Sequence, residues 1–437
     1  MPKRHLLAST AIALSMLFPG AAFSVQLDYQ VGIGVEHNDD VNLNETDPVG
    51  SSILIPSFGF TLNQQGSTIQ ASANGLFEYR DYLGGAFADE FRNRLAGQFN
   101  WTVLPQRLDL TVEDYLAEQP IDTLQPNTPT NLQQTNVFAV GPTLTFRLGS
   151  TGRGQAELRY INSYADQTDD FNTNRISAAF RAIKELTPSS AISANLVNDH
   201  VDFIQADAGP NYNRSSAFGR YSRQWARFHL IADVGYSWIR YSDTFDNRAD
   251  PLARANLGWQ LDQRNSFTLD LSHQISDAAS GILETGSDLG IALGAKIPTS
   301  IDVGTAAVTA APYIENRIGF GYTYQGARTT FTVAPIYDKL RYFNQTQPQQ
   351  TGRGGALSIA RRLSPVLTFG FNASAENISY AGLDRIDKTR TLQISLERRW
   401  SLHWLSRLEY TRYTRDTNVI GENGDQNIIF LGITYHR

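Results

Sequence analysis

Cysteine is absent from all 437 residues, which excludes disulfides, thiolate metal centres and cysteine nucleophiles. Methionine occurs only twice. After the first 24 residues, no stretch approaches the roughly 18 consecutive apolar residues that a membrane-crossing helix needs. Mean hydropathy is −0.31, too low for a helical membrane protein. A cationic surplus is missing too: 37 Lys and Arg stand against 43 Asp and Glu, which disfavours nucleic acid and anionic lipid as non-specific partners.

The amino terminus supplies an address. Lys3, Arg4 and His5 precede an apolar run from Leu6 to Phe18, Pro19-Gly20 break it, and Ala22-Phe23-Ser24 forms a small-x-small cleavage site. Residues 1–24 therefore read as a secretory signal peptide, with Val25 as the first mature residue. Its removal leaves 35 basic against 43 acidic residues, a net charge of −8.

The chain is rich in glycine (34), phenylalanine (23) and tyrosine (19), arranged with period two. From Val25, the residues Val25, Leu27, Tyr29, Val31, Ile33 and Val35 share one face of a strand, and Gln26, Asp28, Gln30 and Glu36 share the other. Similar segments recur to the C-terminus, joined alternately by long polar loops, Ala381–Asp387 among them, and tight turns. Residues 25–437 thus predict one all-β domain, a closed antiparallel transmembrane β-barrel of about 20 strands (18–22), with long extracellular loops and short periplasmic turns. Five of the six tryptophans (Trp101, Trp225, Trp259, Trp400 and Trp404) fall beside short turns, as a periplasmic aromatic girdle requires. The last strand turns Ile429, Leu431, Ile433 and Tyr435 outward and is expected to close the barrel against Val25–Glu36. A soluble sandwich of this size would split into linked domains, and neither a linker nor a fixed repeat is visible.

The polar faces are assigned to the lumen. They carry Arg80, Arg92, Arg94, Arg159, Arg175, Arg181, Arg220, Arg254, Arg317 and Arg407 together with Glu78 and Glu113. Two readings of these charges stand side by side. A basic ladder, centred on Arg80, Arg92 and Arg94, would guide an anionic solute; arginines paired to acids across strands would merely brace the wall. Ser276–Pro312, rich in Gly, Ala, Ile, Val and Thr, either folds inward as a constriction or adds a hairpin.

No enzyme is expected. Ser272 and His273 are neighbours on a strand and point to opposite faces, so they cannot share a proton. His200, His229 and His403 show no ligand spacing. The acidic loops His37–Glu45 and Asp166–Asp170 offer hard oxygen ligands but lack the glycine and terminal glutamate of a calcium loop, and they read as solvated loops. No cofactor or metal is assigned. With no plug or periplasmic module before Val25, neither an energy-coupled 22-stranded transporter nor a module-bearing secretion machine is expected.

The run Asn38-Asp39-Asp40-Val41-Asn42-Leu43, with Asn127-Thr128-Pro129 leading into Gly141-Pro142-Thr143-Leu144-Thr145-Phe146-Arg147-Leu148-Gly149, resembles the outer-membrane β-barrel proteins associated with PEP-CTERM/exosortase systems and exopolysaccharide gene clusters. The resemblance implies a barrel in the cell outer membrane and a role in exopolysaccharide export, and it transfers no catalytic residue. The expected function is a passive pore for exopolysaccharide. A structural or surface-attachment barrel that binds polymer or partner proteins through its loops is the alternative. Expected partners are outer-membrane lipid and lipopolysaccharide, exopolysaccharide and periplasmic export components.

Overall fold

The computed structural model of the protein describes residues 25–242, 246–290, 306–344 and 347–437, with the backbone alone for 285–290. The expected signal peptide, residues 1–24, lies outside the described residues. The sheet opens with β1 (Val25–Asn38), β2 (Ser51–Gln65), β3 (Ile69–Tyr82), β4 (Glu90–Leu104) and β5 (Leu108–Pro120). It continues with β6 (Leu132–Leu148), β7 (Gly152–Ala165), β8 (Thr173–Thr187), β9 (Ser190–Phe203) and β10 (Tyr212–Gln224). Strands β11 (Phe228–Tyr241), β12 (Arg248–Gln260) and β13 (Asn265–Ser276) lead into a helix, α1 (Ala278–Gly290). The last seven are β14 (Tyr313–Gln325), β15 (Thr329–Tyr342), β16 (Gln349–Ser364), β17 (Leu367–Ala381), β18 (Arg385–Arg399), β19 (Trp404–Thr417) and β20 (Gly424–His436).

Each strand pairs antiparallel with the next, and β20 returns to β1, where Val31 faces Tyr435, Ile33 faces Ile433 and Val35 faces Leu431. Tyr29 and Arg437 exchange both backbone hydrogen bonds, at 3.0 and 2.9 Å. Closure leaves no sheet edge, so the wall satisfies its own backbone groups, as a structure surrounded by hydrocarbon must. The expected closing strands are therefore the ones that close it.

Alternation sets the two faces. Outward residues form an apolar exterior that a soluble protein would not expose: Val234 is 71% exposed, Leu431 59% and Leu196 58%. At the short-turn end the exterior carries a row of rings. Trp259 stacks between Phe228 (5.4 Å) and Phe267 (5.2 Å), and Phe267 continues through Tyr322 to Phe331. Trp225 and Trp400 hold Arg223 and Arg398 over their faces, and Trp404 packs on Tyr435. Such rings mark a membrane interface. The barrel is a transmembrane β-barrel.

The connections alternate in length as expected, with one correction. The long loop expected at 381–387 is instead the tight link Gly382, Leu383 and Asp384, and β18 already begins at Arg385. Gly382 (φ +87°) and Asp384 (φ +47°) occupy the left-handed region, so the chain reverses quickly enough for Tyr380 to face Arg385.

A candidate functional site in the lumen and its outer mouth

Every arginine assigned to the lumen faces it, and all but Arg317 are ion-paired among the described residues, Arg407 with Glu409. Arg80 meets Glu36 (2.5 Å), Arg92 meets Glu90 (2.8 Å) and Glu118 (3.3 Å), and Arg94 meets Glu78 (3.1 Å). Arg159 joins Glu113 and Glu157, and Arg181 also meets Glu157 at 2.6 Å. Arg220 and Arg254 share Asp233, at 2.7 and 2.8 Å. The three residues of the expected basic ladder do lie on facing strands, with Glu78 opposite Arg92 and Arg80 opposite Glu90. Acids interleave them, so the free cationic track does not form. Arginine and carboxylate alternate because register brings oppositely charged residues across from each other or one diagonal step away.

Arg175 differs from the others: its partner lies not on the wall but on the segment after β13. Between Ser276 and Pro312, the described residues 276–290 and 306–312 turn into the lumen, as one of the two expectations held; residues 291–305, including Lys296 and Asp302, lie outside the described residues. Asp277 starts the turn. It caps α1 by accepting the Ser280 backbone N–H (3.0 Å) and hydroxyl (2.7 Å). Its carboxylate also receives Arg175 (2.7 Å) and Arg214 (3.2 Å), while Arg214 is held by Asp199 at 2.8 Å. Asp277 is fully buried and Arg175 is 2% exposed. Burial opposes ionisation of Asp277, but Arg175 and Arg214 outweigh it and hold the carboxyl at about 2.

Apolar packing completes the attachment. Ala278, Ala279, Ile282 and Val308 bury against Tyr115, Val137, Ile161 and Phe171 across the lumen. On the way back, Ala310 donates its N–H to the Asp170 carbonyl (2.9 Å) and accepts from the Tyr212 hydroxyl (3.0 Å), and the Ala307 N–H reaches the Tyr342 hydroxyl at 2.8 Å. The small residues of Ala306–Ala311 let this backbone lie close to the wall. β13 itself bends inward to deliver the segment: its pairing with β12 ends at His273, while its pairing with β14 runs on to Ser276.

Two other outer loops fold over the same mouth. The backbone carbonyls of Thr123 and Leu124, between β5 and β6, accept hydrogen bonds from Tyr380, Arg385 and Arg415 on the far wall; Asp387 ties the two arginines together at 2.9 and 3.0 Å. The loop after β1 buries Val41 and Leu43, the former with Ile53, Ile55 and Tyr82. Its Asp39 accepts both the backbone and side-chain N–H of Asn427 (2.6 and 2.7 Å), which stitches the closing seam. Asp40, the other acid of that run, accepts the Asn44 N–H at 3.1 Å. These carboxylates serve as loop scaffolding, and no group of three His, Asp or Glu assembles as a metal site among the described residues.

The periplasmic half contrasts with this. Gln26, Asp28, Gln30, Thr61, Arg147, Ala356, Ser358 and Ala360 all face inward, yet all are exposed. The inward Ile231 is 39% exposed. This half is open to solvent, and the protein's packed core lies inside the outer mouth. Ser272 and His273 point apart as expected: Ser272 donates inward to Glu315 (3.1 Å), whereas His273 meets Asn316 and Asp250. His200 and His229 each bond an asparagine on an adjacent strand, and His403 bonds the His436 carbonyl.

Sequence reading missed Asp277, Ser280, Arg214 and Asp199. One signal was present: Asp277 before Ala278-Ala279, with Ser280 three residues on, is a helix N-cap pattern.

No family model matches the chain, and no curated protein matches it. Among solved structures it is similar to the FrpB iron transporter of Neisseria meningitidis (F5-1 variant), with TM-score 0.48, 8% identity, and 93% of this chain and 82% of that one covered. It is also similar to the siderophore receptor PirA of Pseudomonas aeruginosa (0.46, 10% identity, 94% and 80%). A third is OccK2 (OpdF) of the same organism (0.40, 10% identity, 94% and 98%). The fold rests on the strand pairing itself, not on these likenesses.

Proposed function

We propose that the chain forms an outer-membrane channel for a polar solute, gated at its outer mouth by the inserted residues 276–290 and 306–312. The observation that carries this reading is the division of the lumen: a solvent-open, charge-lined lower half leads up to a folded-in segment held at its start by a capping aspartate. Arg, Asp, Glu, Gln and Asn on the wall suit a hydroxyl-rich solute, and the resemblance in Asn38–Leu43 and Gly141–Gly149 supports exopolysaccharide as that solute, passed on by periplasmic export components. Residues 1–24 would direct export to the outer membrane. Planar-bilayer conductance tests the channel. Wild type is expected to conduct little, and a variant with 278–311 replaced by a short polar linker is expected to conduct steadily and to be blocked by added polysaccharide. A folded deletion variant that never conducts would overturn the proposal.

A second reading, a structural barrel that binds polymer through its loops, is favoured by one observation: nine of the ten assigned arginines are paired among the described residues. Under that reading, changing Arg80, Arg92 and Arg94 to glutamine lowers stability and leaves permeability untouched in both wild type and the deletion variant.

A further inference from the structure

The outer rim of the barrel's exterior is not uniform. On β7 to β10 the outward residues there carry one acid, Asp202, which His200 meets at 3.1 Å, and otherwise satisfy one another: Tyr160 donates to Asn174 (2.6 Å), Asn198 to Ser215 (2.8 Å), and His200 bonds Asn213 (2.9 Å). On β15 to β19 the same level carries cations. Register places Tyr337, Arg353, Asn377, Lys388 and Asp416 in one outward row, with Lys339, Thr351 and Ser379 in a row toward the loops and Arg390 and Thr414 in a row toward the membrane. Arg412 lies on the next outward row below Arg390.

Arg390 and Arg412 are matched by Asp416 (3.3 Å) and Asp425 (3.0 Å). Lys339, Arg353 and Lys388 are exposed and make no ion pair among the described residues, and Arg353 lies over the Tyr337 ring at 5.8 Å. The strand pattern fixes their height. On β18 the outward Leu392, Ile394 and Leu396 lie between Arg390 and Arg398; on β16, Leu357 and Ile359 lie between Arg353 and Arg361. Eight residues at about 3.3 Å each give about 26 Å along a tilted strand, close to the apolar band of an outer-membrane barrel. The lower arginines sit at the tryptophan girdle. The upper cations therefore sit at the outer edge of the band, where headgroups of the outer leaflet lie.

We propose that Lys339, Arg353 and Lys388 form a docking site for the phosphates of lipopolysaccharide in the outer leaflet. Arg353 and Lys388 stand two strands apart, about 10 Å, so they can engage separate oxygens of a phosphorylated glycolipid. Lysine and arginine bind phosphate by charge-assisted hydrogen bonds. Thr351, Asn377 and Ser379 between them offer partners for sugar hydroxyls, and the apolar strip below receives acyl chains. Acidic residues would repel a phosphate, and in this patch they pair only with the two arginines nearer β20. The site does not depend on whether the channel opens.

The experiment uses the folded full-length protein in detergent, with native mass spectrometry and titration of bis-phosphorylated lipid A. Wild type is expected to bind it at least tenfold more tightly than the dephosphorylated lipid. The triple variant Lys339→Gln, Arg353→Gln, Lys388→Gln is expected to lose at least tenfold, while Lys339→Arg, Arg353→Lys, Lys388→Arg keeps binding within threefold. Equal binding by wild type and the glutamine variant overturns the site, as does indifference of wild type to the phosphates. Equal affinity for phosphatidylglycerol overturns the assignment to lipopolysaccharide. Heat-modifiable gel migration checks folding, and the wild-type lipid pair tests the site even if the glutamine variant does not fold.

Discussion

The outer and periplasmic halves of the lumen are lined by the same strands, yet they obey different physics. Outer inward positions such as Ile53, Val137, Val201, Tyr212 and Ile239 are buried as in a soluble core, because loop segments have been brought in to cover them. Lower inward positions such as Gln26, Gln30 and Ser358 face water. An ion pair therefore changes meaning with height. Arg175 and Asp277 are cut off from solvent, so losing either leaves a buried charge uncompensated, at a cost of about 3–5 kcal/mol. Arg94 and Glu78 remain 34% and 21% exposed, where such a pair contributes about 0–1 kcal/mol.

The contrast can be broken most directly by deleting 278–311, which should make the outer half resemble the lower one and raise conductance by at least tenfold in planar bilayers. Next in size is Asp277→Ala, which leaves Arg175 and Arg214 facing each other and uncaps α1. Undocking of the segment is expected, read as rapid proteolysis within 278–311 and as open-channel events in a barrel that still migrates as folded. Replacing Arg175 and Asp277 together with Met and Leu should recover most of the docking, because no unpaired charge then remains.

Acid should act in the same sense but more weakly. The Asp277 carboxyl is held below its unfolded value, so its contribution is complete above about pH 4 and is lost as pH falls toward 2, about 2 kcal/mol in all. Asp170, beside the returning residues 306–312 of the segment, is pushed up by burial, so its titration favours docking as pH falls. Asp277, with two cations, is expected to dominate, and open probability should rise between pH 4 and pH 2.5. An unchanged open probability there would remove Asp277 as the anchor. Smaller still, Tyr212→Phe removes one hydrogen bond to the Ala310 carbonyl and should cost about 1 kcal/mol of docking. Smallest is Arg94→Gln, which should shift melting by no more than a degree or two while changing the cation-to-anion permeability ratio of the deletion variant.

Much of the wall was legible in the sequence because its code is local. Alternation placed Arg80, Arg159, Arg220 and Glu113 inward and Ile429, Leu431 and Ile433 outward, and tight turns beside tryptophans marked the periplasmic rim. Charge identity did not disclose partners: pairing of Arg159 with both Glu113 and Glu157 depends on register, which a single strand does not display. The mouth was the least legible region. Arg175 and Asp277 lie 102 residues apart in the chain, and nothing local to Ala306–Ala311 says that its small apolar residues will be covered rather than paired in a hairpin. Gly382–Asp384 was misjudged because its polar neighbours Arg385 and Asp387 look like loop, whereas they are inward strand residues serving the mouth.

The bend of β13 into the lumen has a consequence for the order of folding. The segment it carries docks on β5 to β10, made earlier in the chain, and on β14 and β15, made after it. Its binding surface does not exist until strands on both sides have joined the sheet, so sealing the mouth belongs to the final stage of folding. A barrel halted just before that stage would be a leak in the membrane, which places a premium on fast docking once the ring is closed.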